Sequence, residues 1–263
     1  MDLKKLFPLP IVASSHGHEI DMIIYLVHLL MLVLFIGWSI FFIFVLFRFN
    51  KKSNPKADYH GVKSHVSSYL EIAVAVFEAI LLIGFSIPFW AKQVNAFPNR
   101  SDTIEVRVNA EQFAWNIHYS GADGKFGRTA VEFFDKQSNP MGLDPNDPHG
   151  KDDITTINQL HLPVGRPAII HLTSRDVIHS FSLPIMRVKQ DVIPGMNIPT
   201  WFTPTKTGES EIGCAQLCGL GHYRMKGFLT VHSQEEFQKW MDEQSSKLGG
   251  DGEEGEGFDD FWN

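Results

Sequence analysis

Two thiols, an imidazole and a thioether fall within twelve residues in Cys214-Ala-Gln-Leu-Cys-Gly-Leu-Gly-His-Tyr-Arg-Met225. Cys214 and Cys218 are the only cysteines, and His222 and Met225 follow at short intervals. Thiolate and thioether are soft donors, and together with imidazole they suit copper. The spacing Cys-x3-Cys-x3-His-x2-Met lets one short loop turn its donors toward a common point. A further imidazole is needed to complete such a centre. Upstream, Asp176-Val-Ile-His-Ser-Phe181 offers His179.

Other chemistries use parts of this set. A disulfide between Cys214 and Cys218 would close only three intervening residues, an awkward geometry. A zinc ion on two Cys and two His would leave Met225 without a role. A mononuclear blue copper takes one Cys, two His and a weak axial Met, so one thiol is surplus. Two thiolates can instead bridge two copper ions. Each metal then needs one imidazole, from His179 or His222, and one weaker donor, from Met225 or a loop carbonyl. Sharing one valence electron across bridging sulfurs keeps reorganisation small, as a fast one-electron carrier requires. Cys-x-x-Cys-His is absent from the sequence, so no c-type haem attachment to this chain is expected.

Such a loop needs rigid strands to hold it. From about residue 101 apolar residues alternate, first in Thr103–Asn109 and then in Glu111–Tyr119. Further strand-like runs fall near Gln159–Leu162, Ala168–Thr173, Ser180–Leu183, Thr200–Thr203, Gly208–Gly213 and Gly227–His232. Residues 120–153, rich in Gly, Asp, Asn and Pro, read as an excursion around a short strand near Thr129–Phe134. Short strands with turn signals between them predict a β-sandwich or Greek-key barrel. Ser233–Lys247 reads as an amphipathic helix with Ser233 as its N-cap and Phe237, Trp240 and Met241 on the apolar face.

The first ninety residues have another character. Met22–Phe47 contains no Asp, Glu, Lys or Arg. As a helix it would reach about 39 Å, more than the ~30 Å hydrocarbon core. Ile72–Trp90 is a second span of about 28 Å. Between them, residues 48–66 carry five Lys or Arg against one Asp, which predicts a cytoplasmic loop. Glu71 and Glu78, seven residues apart, share a helix face that lipid would not tolerate, so that face is expected to meet a partner. His28 is expected to pack against a partner helix. The expected order is an extracytoplasmic segment at 1–20, a two-helix hairpin at 21–91, a copper domain at 92–232, a helix at 233–248 and a disordered tail at 249–263. Six acids and no Lys or Arg lie in that tail, so the body of this −7 chain is near neutral. No basic patch with interleaved aromatics points to nucleic acid. His16, His18, His60, His65, His149 and His232 are expected to be solvated, and His118, His161 and His171 to be strand or turn residues.

The chain resembles subunit II of the haem–copper cytochrome c oxidases over nearly its whole length. The specific motifs are the Cys214–Met225 loop and Asp176-Val-Ile-His-Ser-Phe181, supported by Leu70-Glu-Ile-Ala73 and Val188-Lys-Gln-Asp-Val-Ile-Pro-Gly195. The resemblance implies a membrane α-helical hairpin followed by an all-β cupredoxin-like Greek-key sandwich. It implies a dinuclear copper centre (CuA) bridged by Cys214 and Cys218. His179 and Met225 would serve one copper, and His222 and the Gln216 backbone carbonyl the other. It implies electrons arriving from a cytochrome c, or from another haem-bearing partner complex, and passing to haem in subunit I. Oxygen reduction and proton pumping then belong to subunit I. It also implies further oxidase subunits around the hairpin and a bacterial inner membrane, with the N-terminus and copper domain on the periplasmic side. Glu71 matches a position near the mouth of a proton pathway.

Three departures from the family pattern matter. Many members have Glu where this chain has Gln216, and there the carboxylate helps hold a magnesium ion at the subunit interface. Magnesium binding is therefore expected to be weaker here. In Gln112-Phe-Ala-Trp115, Phe113 holds the place of a Trp taken as the port through which electrons arrive, and Trp115 follows two residues later. Some relatives fuse a cytochrome c domain after the copper domain. An acidic stretch stands there instead, so the haem is expected on another polypeptide.

Overall fold

A computed structural model describes residues 8–56, 59–61 and 63–248, and the expected tail at 249–263 lies outside them. The chain forms two compact units, one helical and one made largely of strands.

In the helical unit, α1 (Gly17–Arg48) is 32 residues long and starts earlier than the charge pattern predicts. The second span comprises α2 (Val66–Leu81), a π turn (Leu82–Ser86) and α3 (Ile87–Asn95). Pro88 explains the π turn, because its ring nitrogen cannot donate to the carbonyl one turn back and the ladder must widen. Both spans are long and apolar enough to cross a membrane. Large apolar residues such as Phe35, Trp38, Phe41, Ile72 and Trp90 are exposed along them, an arrangement suited to lipid rather than water. Lys92 on α3 reaches Glu19 on α1 at 2.7 Å.

The other unit contains residues 10–17 as well as those from Phe97 onward. Its first sheet has the order β3-β2-β1-β5-β8, from β1 (Ile104–Glu111), β2 (Ala114–Tyr119), β3 (Ile154–Ile157), β5 (Ala168–Ser174) and β8 (Ile198–Phe202). Its second has the order β4-β10-β9-β6-β7, from β4 (Gln159–Pro163), β6 (His179–Leu183), β7 (Val188–Val192), β9 (Gly208–Cys214) and β10 (Lys226–His232). Trp115, Ile117 and Tyr119 from one sheet meet Leu160, Phe181, Ile212 and Leu229 from the other in a single buried core. The sheets are therefore the two faces of a sandwich.

Several expectations need correction. The run Glu111–Tyr119 is broken at Gln112-Phe113, where β1 turns into β2 with Glu111 paired to Ala114. No strand forms near Thr129–Phe134. Val131–Phe133 is a 3-10 turn, and only a single bridge links Thr129 to Leu143. β7 was masked by Lys189 and Asp191, which face outward between the buried Val188 and Val192. His16 is buried, at 7% exposure, rather than solvated.

Residues 10–17 form a strap on the sandwich. Ala13 donates its N–H to Ile185 and accepts from Thr205, each at 2.8 Å, and Ser14 Oγ donates to the Met186 carbonyl. The strap turns into α1 at Gly17, where a Cβ would lie 2.7 Å from Val12 Cγ1 and 2.9 Å from Ser14 Oγ. Only glycine fits that approach without movement.

The C-terminal helix α4 (Gln234–Leu248) is held by a reciprocal cap: Glu236 N–H donates to Ser233 Oγ and Ser233 N–H to the Glu236 carboxylate. It sets Trp240 against Tyr119 and stacks it on His161 with ring centres 4.2 Å apart. His161 is stacked in turn on His232, which is half-buried rather than solvated, with Nδ1 and Nε2 2.8 Å apart. Burial, then the neighbouring His232, lowers the His161 pKa to about 4 from 6.5. The unfolded chain therefore takes up this proton first as the pH falls. This contribution to stability is complete above 6.5 and is lost between 6.5 and about 4. The apparent Tm, followed by circular dichroism across that window, should fall with pH. An H161F chain should show a shallower fall, and an unchanged slope would count against this assignment.

Candidate metal centre

Strand pairing builds this site from distant parts of the sequence. β6 begins at His179 and β9 ends at Cys214, and the two strands pair with Phe181 opposite Cys214. His179 and Phe181 point to the same side of β6, as residues two apart must. The chain then crosses residues 215–221, makes a 3-10 turn at His222–Arg224 and returns as β10. Cys214 N–H donates to the Met225 carbonyl, which closes the base of the loop.

All six expected donors converge here. Cys214 Sγ and Cys218 Sγ are 3.8 Å apart, and both are free thiols. Cys214 Sγ lies 3.9 Å from His179 Nδ1 and 3.2 Å from the Gln216 carbonyl. Cys218 Sγ lies 3.6 Å from His222 Nδ1 and 3.7 Å from Met225 Sδ. Two donors bound to one ion at about 2.0–2.3 Å in a tetrahedral arrangement lie roughly 3.3–3.8 Å apart. Neighbouring donors are thus close enough to share a metal, and two thiols, two imidazoles and a thioether are the soft set that fits copper. His179, Cys218 and Met225 are buried, Cys214 and His222 half-buried, and Gln216 exposed.

Electrostatics divide the thiols. Burial opposes ionisation of Cys214, but hydrogen bonds with His179, with the backbone at Ser180 and Gln216 and with His222 outweigh it and bring the thiol to about 6. Burial and the negative charge on Cys214 push Cys218 up to about 12. The two thiols therefore do not ionise together, because the charge on one holds the proton on the other. Burial pulls His179 down, yet Cys214 and Asp176 raise it above its usual value.

Two residues outside the predicted donor set support it. Asp176 Oδ1 lies 2.9 Å from His179 Nε2. When Nε2 donates to that carboxylate, Nδ1 turns its lone pair to the sulfurs. The other carboxylate oxygen accepts the Gln112 N–H at 2.7 Å, and Gln112 Nε2 donates to the Cys218 carbonyl. An Asp three residues before a ligand His is a readable sign of such support. Gln112 lies 106 residues from Cys218, and nothing in its sequence neighbourhood announces the contact.

Phe113 is half-buried against the loop, next to Gly219 and Gly221. Trp115 is fully buried and sets its ring edge-on to Phe181 and to His179, with centres 5.4 and 6.2 Å away. That leaves Phe113 as the ring of the pair that reaches the surface. Glu71 is exposed on α2 and belongs to the helical unit.

Comparison with known proteins agrees with this architecture. Residues 104–231 match the family model for the periplasmic domain of cytochrome c oxidase subunit II. The alternative cytochrome c oxidase subunit 2 of Bradyrhizobium diazoefficiens is 33% identical over 80% of this chain and 74% of its own length. A probable cytochrome c oxidase subunit 2 of Rickettsia conorii is 28% identical over 75% of this chain, and the match spans 59% of that protein. The crystal structure of the periplasmic domain of subunit II of cytochrome oxidase (CoxB) of Bradyrhizobium japonicum is 30% identical and overlaps 57% of this chain and 98% of that one, with a TM-score of 0.42. By its sequence over both units, the chain belongs to the cytochrome c oxidase subunit II family.

Proposed function

We propose that this chain is the electron-accepting subunit of a terminal cytochrome c oxidase. It takes electrons from a cytochrome c at a dinuclear CuA centre and passes them to haem in subunit I, where oxygen is reduced and protons are pumped. The observation that carries this reading is the division of the donors. Two imidazoles and two weaker donors surround the sulfurs: His179 and the Gln216 carbonyl lie beside Cys214, His222 and Met225 beside Cys218. With both sulfurs shared, His179 and Met225 would serve one copper and His222 and the Gln216 carbonyl the other. One ion would leave half of that set idle, whereas two ions bridged by the sulfurs use all of it. A copper pair held there supplies a one-electron carrier.

The remaining work falls to the protein. Cys214, at the end of β9, and Cys218, in the loop that follows, would hold the copper pair. Asp176 holds the His179 ring, and Trp115, itself packed on Phe181, lies edge-on against it. Phe113 is the port for arriving electrons, half-buried over the loop. Glu71, on the exposed α2, is the candidate for a proton-path mouth facing subunit I. With an amide at Gln216, magnesium is held weakly or not at all. Residues 10–17 and those after α3 share one compact unit, which supports two crossings of a bacterial inner membrane with both on the periplasmic side.

The test uses the full chain in detergent, loaded with copper. A purple product with a seven-line hyperfine pattern, from one electron shared equally by two copper nuclei, is expected. A colourless product holding a single metal would overturn the reading.

A further inference from the structure

The turn between β1 and β2 touches the metal loop and the His179 side of the centre at once. Gln112 Nε2 donates to the Cys218 carbonyl at the crown of the loop. Gln112 N–H donates to Asp176 Oδ2 at 2.7 Å, and Asp176 Oδ1 lies 2.9 Å from His179 Nε2. The next residue, Phe113, lies flat against the loop glycines. A Cβ on Gly221 would come within 2.5 Å of the Phe113 ring, and a Cβ on Gly219 within 2.5 Å of Gln112 Nε2 and 3.4 Å of that ring. Gly219 also has a φ of +133°, where a side chain would be strained. The loop's glycines thus make room for this one turn.

These contacts are placed to act on the donors. The Cys218 carbonyl belongs to the residue whose thiol lies between Cys214, His222 and Met225. Fixing that peptide fixes the direction of the Cys218 side chain. The Gln112 N–H shares the carboxylate that orients His179, so one residue restrains a donor at each end of the centre. Gln112 is itself exposed and contributes nothing to the buried core.

We propose that Gln112 is a positioning residue for the metal centre, clamping the Cys218 peptide through its side chain and Asp176 through its backbone. This rests on the copper reading of the site. The clamp explains how an exposed loop holds two thiols 3.8 Å apart without a bond between them. It also gives the Gln112-Phe113 turn a mechanical role in addition to any part of Phe113 in electron arrival.

Wild-type, Q112L and Q112E chains, full-length in detergent and loaded with copper, test the proposal. Q112L keeps the side-chain bulk without the donor, and Q112E sets an acceptor against the carbonyl. Both should lose copper to a copper(I) chelator under reducing conditions about tenfold faster or more, the usual scale for removing support from a metal ligand. Their hyperfine lines should become unequal as the two coppers cease to be equivalent. The melting temperature of the metal-free chains should stay at the wild-type value, which separates loss of positioning from loss of fold. Wild-type release rates and spectra in both variants would overturn the proposal. Failure of the wild-type chain to form a copper pair would instead overturn the reading of the site on which it rests.

Discussion

A Cys218→Ser chain should keep its sandwich and lose the shared-valence spectrum completely. Cys218 is buried, at 3% exposure, with Cys214, His222 and Met225 all within 3.8 Å of its sulfur. A hydroxyl is a hard, weakly acidic donor that does not replace a bridging thiolate for copper. His222 and Met225 would then lack the sulfur that links them to the His179 side. Copper content should drop from two per chain to one or fewer, measured by elemental analysis, with the hyperfine pattern collapsing to that of a single ion or vanishing. Burying a hydroxyl for a thiol costs about 1–3 kcal/mol if it stays unpaired, which the domain should survive. Retention of two coppers and an unaltered spectrum would refute the bridging role.

The largest effect on stability is expected at the far side of β2. His118 and Asp153 are fully buried, with Nε2 and Oδ2 2.6 Å apart. Asp153 also accepts the Gly127 N–H at 2.8 Å and the Gly121 N–H at 3.1 Å, so it pins both ends of the first part of the excursion loop. A D153A change takes the acceptor from all three donors, and each one left buried and unpaired costs about 1–3 kcal/mol. Urea melts of the full chain in detergent should show that loss in the sandwich transition. A loss under about 1 kcal/mol would mean that water reaches these groups and replaces the carboxylate.

The sequence was most legible where function and structure are both local. The four loop donors are neighbours along the chain, so their types and spacing announce them without any fold. The Ser233 cap and the Phe237–Trp240 face read correctly because helix ends and faces are set within a few residues. The two long apolar helices stood out because a run of that length and composition is rare elsewhere. The failures occur where partners are remote. Val188–Val192 looks polar until β6 pairs along it and makes it the edge strand of the second sheet. Thr129–Phe134 has strand-forming residues but no ladder to join, and closes as a turn instead. His16 looked solvated because nothing near it shows that residues 10–17 are laid on the sandwich. Gln112 reads as one more polar residue in a strand until the loop from residue 218 arrives above it.

The strap has a consequence for how the chain is made. Ser14 meets its acceptor Met186 across 172 residues. At ordinary rates of synthesis that interval is roughly 10–35 s. During it the strap lacks the residues it pairs with, while both apolar helices are made. Its groove forms only where residues 185–205 are delivered. A strap that could not reach those residues would leave the sandwich incomplete. Closure of this one β-domain therefore requires the two ends of the helical segment to meet on one side.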